Sequence, residues 1–198
     1  FQWKMGNYNL MIKRIFIPVL LLGFLVCSIF TFHLYRVFFA SNTAFESPKK
    51  EVFIPSSDTN VSAYDTIARV VERFDFFQQA ASRKGYMPMP GRFVFEKGMN
   101  NNELINQLRS ENKPIRLTFN NQNTLMHLAS YIDKKIETDS FAIMQAFYDV
   151  DFLKENGLTQ DNVFSLCLPN TYDFFWNTTA EQFRDRMLRQ YKAFWTTN

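Results

Sequence analysis

Gly91 to Leu108, GRFVFEKGMNNNELINQL, changes its pattern part-way and thereby sets the fold class. RFVFE is strand-like, Gly98 marks a turn, and Asn101 or Asn102 is a candidate helix cap. Leu104, Ile105 and Leu108 then fall on one helical face. A strand and a helix this close together predict a small α+β unit.

Working outward, Glu51 to Pro55, EVFIP, predicts a strand with Val52 and Ile54 on one face. Ser62 is positioned to cap a helix in which Ile67, Val70, Val71 and Phe74 recur at i, i+3, i+4 and i+7. Gly85, Pro88, Pro90 and Gly91 separate that helix from RFVFE, and Pro114 to Phe119, PIRLTF, supplies a third strand. Residues 51–120 are therefore expected as one unit of strand, helix, strand, helix and strand.

Beyond residue 120 the pattern turns mainly helical, so residues 121–198 are assigned to a second region. Leu125, Leu128, Ala129, Ile132 and Ile136 form one stripe. A second helix after Ser140 is expected to carry Phe141, Met144 and Phe147, and a short third one to stop at Asn156 and Gly157. Thr178 and Glu181 suit a capping box for a last helix burying Phe183, Met187, Tyr191 and Phe194.

The N-terminal part differs in kind. Ile15 to Tyr35 is a run of 21 residues without a formal charge. A helix of that length crosses a hydrocarbon core of ~30 Å. The run exceeds the ~7 to 15 apolar residues of a signal peptide, and Phe24, Leu25 and Val26 ahead of Cys27 lack the small residue of a lipidation site. Residues 15–35 are thus read as a transmembrane helix, 1–14 as a cytoplasmic N-terminus and 36–50 as a tether. Lys4, Lys13 and Arg14 precede the span and Arg36 alone directly follows it, which favours the N-terminus inside. Met5 and Met11 are both candidate native starts.

Charge and ligand chemistry narrow the function. The formal charge of +3 owes four basic residues to positions 1–40, leaving 18 basic against 19 acidic residues in 41–198. That balance gives no basic face for nucleic acid. Cys27 sits in the span and Cys167 outside it, and Cys27, Cys167, His33 and His127 together make no zinc cluster. No metal site and no cofactor motif is found. Asp133 and Glu137 fall at i, i+4 beside Lys134 and Lys135, as on a solvated helix face, and Asp149, Asp151 and Glu155 suit a helix start. His127 lies one step off the apolar stripe as a boundary residue, without a nucleophile beside it. The sequons at Asn60 and Asn177 match a pattern too short to weigh.

Cys167 to Phe183, CLPNTYDFFWNTTAEQF, holds the candidate site. Pro169 fixes its own backbone and extends Leu168, Asn170 and Thr171 offer short polar groups, and Tyr172 and Trp176 offer flat faces. Such faces beside amides and hydroxyls suit sugar rings, although the spacing of Phe174, Phe175 and Trp176 equally suits a core.

Three segments carry a resemblance to the YceG-like family, the MltG-type endolytic murein transglycosylases. Gly91–Leu108 is similar to that family's G-x-Y-x-F-x-x-G-M-t-x-x-E-(L/M)-(L/I)-x-x-L segment, RLTFNNQNTLMHLASYI to its T-x-x-E-G-x-t-x-x-x-(I/L)-A-x-x-(I/L) segment, and LPNTYDFFWNTTAEQF to its (F/L)-x-P-(D/N)-T-Y element. Departures are Phe93 in place of Tyr, FNNQN in place of Glu-Gly, and Phe164 and Ser165 where Glu-Gly commonly precedes the proline turn. The family's A-S-(I/V)-(I/V)-E-x-E-(T) helix, which bears the catalytic glutamate, is not found in residues 1–198.

The resemblance implies a LysM-like α+β subdomain followed by the start of a mainly α catalytic domain. It also implies non-hydrolytic cleavage of peptidoglycan between N-acetylmuramic acid and N-acetylglucosamine, leaving 1,6-anhydro ends. Asn170, Thr171 and Tyr172 are the expected substrate-binding residues. The catalytic glutamate is expected beyond Asn198, so the chain is expected to be an inactive fragment. Expected partners are peptidoglycan glycan strands, the inner (cytoplasmic) membrane through one helix with the remaining chain periplasmic or extracytoplasmic, and cell-wall synthesis proteins. The competing expectation is a non-catalytic anchored module that binds glycan or a cell-wall or division partner. A peptidase or hydrolase lacks a visible nucleophile or metal set.

Overall fold

The computed structural model describes residues 3–197 apart from 58, 111 and 121, with side chains from 16 to 196 excluding those three positions and residues 59 and 60. The side chains of Lys4, Lys13, Arg14 and the Asn60 sequon thus lie outside the described residues. Helix α1 (Trp3–Phe39) contains Phe16–Phe39, 24 residues long and apolar enough to cross a membrane. Its side chains are largely exposed until the last two turns, where Val37 is completely buried.

The first unit pairs β1 (Lys49–Ile54) with β2 (Gly91–Glu96) in antiparallel register, Val52 opposite Phe93. Helices α2 (Thr59–Ala68) and α3 (Phe74–Arg83) connect the two strands, and α4 (Asn101–Ser110) follows. Val52, Ile54, Ile67, Phe77, Phe93, Phe95, Leu104, Ile105 and Leu108 share one core. Removing these apolar side chains from water, at ~25 cal/mol per Å2, is what holds strands this short together.

Two expectations are corrected here. The helix predicted from Ser62 through Phe74 is two helices, with Val70 and Val71 buried in the bend between them. The bend is held from a distance: Asn42 Oδ1 accepts from Arg73 N at 2.7 Å and Asn42 Nδ2 donates to Arg73 O at 3.0 Å. The cap of α4 is Asn100, which exchanges hydrogen bonds of 3.0 Å with Glu103 in a reciprocal capping box. Asn101 is thereby released for another role.

That role lies in residues 36–50, predicted as a tether. Residues 36–39 continue α1, and Asn42 and Thr43 are buried. Asn42 Nδ2 donates to Asn101 Oδ1 at 2.7 Å, Asn101 Nδ2 donates to Val37 O at 2.7 Å, and Gly98 N donates to Thr43 Oγ1 at 2.9 Å. Buried amides require partners, and here each supplies the other's. The segment is a clasp between α1 and the first unit.

Strand β3 (Ile115–Phe119) was expected with the first unit. It pairs instead with β4 (Asn170–Phe174), antiparallel, Leu117 opposite Tyr172. Leu117 and Phe119 bury against Tyr172, Phe174 and Phe183, an aromatic core with centroid separations of 5.2 Å for Phe119–Tyr172 and 5.0 Å for Phe174–Phe183. Around it lie α5 (Leu125–Asp133), α6 (Ser140–Phe147), α7 (Val150–Glu155), a 3-10 turn (Val163–Leu166) and α8 (Ala180–Thr197).

Several helix faces differ from the sequence pattern. In α6 the buried side is Ile143, Ala146 and Phe147, and Phe141 is exposed. The capping box of α8 is Thr179 with Gln182, at 3.1 and 3.2 Å, one residue after the expected Thr178 and Glu181. Phe183 and Met187 are buried as expected, whereas Phe194 is 46% exposed. Helix α5 ends at Asp133, so Glu137 is not on its face.

Glu137 instead joins the two units. Its carboxylate accepts from Ser56 N and Ser56 Oγ, both at 2.6 Å, and its N–H donates to Trp176 O at 2.8 Å. Trp176 packs on Phe53 at 5.1 Å between centroids. Asn112 adds a second stitch, accepting from Arg92 N at 3.1 Å and donating to Asn177 at 2.9 Å. Gly91, at φ +148°, leaves room for it, since a Cβ there would lie 2.6 Å from the Asn112 side chain.

Candidate functional site

The 3-10 turn Val163–Leu166 brings the chain to Cys167, and Leu168 N donates to Leu166 O at 3.0 Å before Pro169 redirects it into β4. The hydroxyl of Tyr172 reaches back to Leu168 O at 2.8 Å and straps the proline turn to the sheet. Asn170 Oδ1 accepts from Thr171 N at 2.7 Å, which fixes the amide at the strand's entrance.

Strand alternation then sorts the three expected residues. Asn170 and Tyr172 line a cleft of about 480 Å3, together with Leu168 and Pro169 from the turn and Gln190, Ala193 and Phe194 from α8. Thr171 takes the opposite face, where its hydroxyl pairs with Thr118 Oγ1 at 2.8 Å. The structure thus brings Asn170 and Tyr172 together and sets Thr171 apart. Gln190 and Phe194 were missed as cleft residues. Their signal was the stripe Phe183, Met187, Gln190, Phe194, which continues along α8 past the end of the core.

The cleft is lined by amides and apolar faces, with no carboxylate among its lining residues. Asp173 next to it is exposed and lies 3.6 Å from Arg116. Burial, reinforced by Cys167 and opposed by Arg186, raises the Tyr172 hydroxyl above its ordinary pKa, so it remains a proton donor at neutral pH. Burial likewise pushes the Cys167 thiol up to about 12, which leaves no thiolate to act as a nucleophile. Among the described residues no group of three His, Cys, Asp or Glu is arranged to hold a metal ion. His127 is exposed, its backbone N–H taken by the Thr124 cap at 3.2 Å, and Asp149 caps α7 through Phe152 N at 2.8 Å. Asp149 thus serves as a helix cap.

The sequence profile of the YceG-like family matches residues 52–198, which takes in both units and the cleft. The chain belongs to the YceG-like family. A YceG-like protein from Listeria monocytogenes, known from a 2.6 Å crystal structure, is 16% identical, with a TM-score of 0.38. The match covers 75% of this chain and 56% of that one, so the chain spans little more than half the length of that relative. No curated protein matches.

Membership supports an enzyme reading in general terms. A second hollow, of about 220 Å3, adjoins the proline turn, with Leu168 and Pro169 in its lining. Asn120 and Gln122 line it with Phe164 and Ser165. Gln122, and Phe164 with Ser165, stand in the two segments that differ from the Glu-Gly patterns of the resemblance, and folding places them at one hollow.

Proposed function

We propose that this chain serves a membrane-anchored endolytic lytic transglycosylase acting on nascent peptidoglycan. On this reading α1 is a single-pass anchor with its N-terminus cytoplasmic, the first unit is LysM-like, and the second unit opens the catalytic domain. The observation that carries the reading is the cleft beside the proline turn. It presents the Asn170 and Gln190 amides for hydroxyl and acetamido groups, and the Pro169 and Phe194 faces for sugar rings.

The chemistry needs one carboxyl group. A glutamic acid protonates the glycosidic oxygen as the C1–O bond breaks, the 6-hydroxyl of the same N-acetylmuramic acid forms the new C1–O6 bond, and its proton returns to the carboxylate. Water takes no part, in contrast to the paired carboxylates of hydrolytic enzymes. The cleft residues hold the strand, and the acid comes from outside them. Tyr172, with its hydroxyl committed to Leu168 O, is a positioning residue that shapes the turn.

The test is incubation of glycan strands with this chain and with the product of its full coding sequence, followed by mass analysis. 1,6-Anhydro ends made by the latter support the proposal, and reducing ends or no cleavage would overturn it. The carboxylate-free cleft also suits a second reading, an anchored glycan-binding module. Strand binding with no cleavage by either form is the result that favours it.

A further inference from the structure

The end of α1 and the start of α3 share a single aromatic ring. The Arg36 guanidinium lies 5.8 Å from the centroid of Phe76 and the Arg73 guanidinium 4.6 Å from it. Below them on α1, His33 meets the Phe76 ring edge-on at 5.7 Å, and its Nε2 is 3.4 Å from Gln79 Oε1. Neither arginine forms an ion pair with a described residue, although Glu72 and Asp75 are near in sequence. Two cations held at one ring without a paired carboxylate make a local excess of positive charge, which an anion bound beside them would offset.

Depth identifies the anion. A hydrocarbon core of ~30 Å takes up about 20 helical residues. The charge-free run Ile15–Tyr35, bounded in sequence by Arg14 and Arg36, is 21 residues long, so Arg36 stands at the head groups. His33 then falls just inside the edge, so Phe76 and Gln79, which touch it, must reach the bilayer surface. The clasp fixes this placement: Val37 O accepts from Asn101, and Asn42 grips both Asn101 and the Arg73 backbone.

We infer that Arg36 and Arg73 form a clamp for the phosphate of a membrane phospholipid, with α3 lying at the bilayer surface. Guanidinium forks suit phosphate oxygens, and a phospholipid carries its phosphate at the depth where Arg36 stands. The inference rests on α1 as a membrane span and is independent of the reaction proposed above.

The test is native mass spectrometry of the whole chain released from nanodiscs containing phosphatidylglycerol, comparing R36Q/R73Q, R36K/R73K and a control, K134Q/K135Q, on the second unit. Two juxtamembrane cations correspond to a loss of roughly tenfold to thirtyfold in retained lipid for the Gln pair. The Lys pair should keep most of the lipid and the control should match the wild type. Equal retention by the Gln pair and wild type, or equal loss by the Gln and Lys pairs, would overturn the clamp. Displacement of the lipid by inorganic phosphate would show a free-anion site in its place. Release of the chain from vesicles by alkaline carbonate would overturn the span itself, a different failure from loss of lipid from an inserted chain.

Discussion

The two units hold themselves together by different means. The first has an aliphatic and phenylalanine core joined to a buried polar clasp, in which Asn42 and Asn101 are each 1% exposed. The second packs Phe119, Tyr172, Phe174 and Phe183 together among aliphatic side chains, Phe119 stacked on Tyr172 and the other pairs tilted, with Arg186 lying 4.9 Å over the Phe174 ring. A hydrogen-bonded clasp fixes a direction, so it suits the unit that must be set on an anchor. The aromatic cluster leaves flat faces at its edge, and the cleft by Pro169, lined by Tyr172, lies at such an edge.

The sharpest way to break this comparison is through the cores. Phe183→Ala should destabilise the second unit by about 3–5 kcal/mol, the range for removing a buried aromatic. Hydrogen exchange read by mass spectrometry should show β3, β4 and α6 opening while β1 and β2 keep their protection. Equal loss in both units would mean one shared core and not two.

Asn101→Leu is the matching change in the first unit. It takes from Val37 O its side-chain donor and from Asn42 Nδ2 one of its two acceptors, Arg73 O remaining, at about 1–3 kcal/mol. Faster exchange should appear at residues 36–44 and in α4, with the second unit unaffected. A neutral effect would show that the clasp does not fix the anchor's direction.

Smaller effects refine the picture. Thr179→Ala removes the cap of α8 and should cost about 1 kcal/mol, seen as fraying of its first turn. The smallest effect is the acid response of the first unit. The Arg92 hydrogen bond holds the Glu51 carboxyl below its ordinary pKa, against partial burial. Its contribution is therefore present above the ordinary carboxylate range and is lost as pH falls through and below it. With Glu51 about half exposed, the change should be slight and should vanish in Arg92→Gln, as followed by thermal unfolding across acid pH.

Much of the local structure was legible in sequence. Gly91–Leu108 folds as its periodicity indicates, because strand, turn and helix are each decided by neighbours within a few residues. The apolar run of α1 is legible for the same reason. What escaped depends on distant partners. Asn42 sits in a polar stretch that looks like a tether, and only Asn101 and Arg73 make it a core residue. The break before α3 is invisible because the buried stripe runs through the bend. Strand β4 reads as a turn in sequence because its partner β3 lies some fifty residues earlier. Of the candidate site, Asn170 and Tyr172 were legible from the proline turn, whereas Gln190 and Phe194 required knowing where the core of α8 ends.

The central claim is that the cleft beside Pro169 holds a glycan strand. The most direct measurement is titration of the nanodisc-held chain with soluble glycan strands, comparing wild type with N170A/Q190A. Both positions are exposed, so the fold should be unchanged. Losing two hydrogen-bonding amides should weaken binding by roughly tenfold or more. Unchanged affinity in a folded double variant would place the glycan elsewhere and contradict the account.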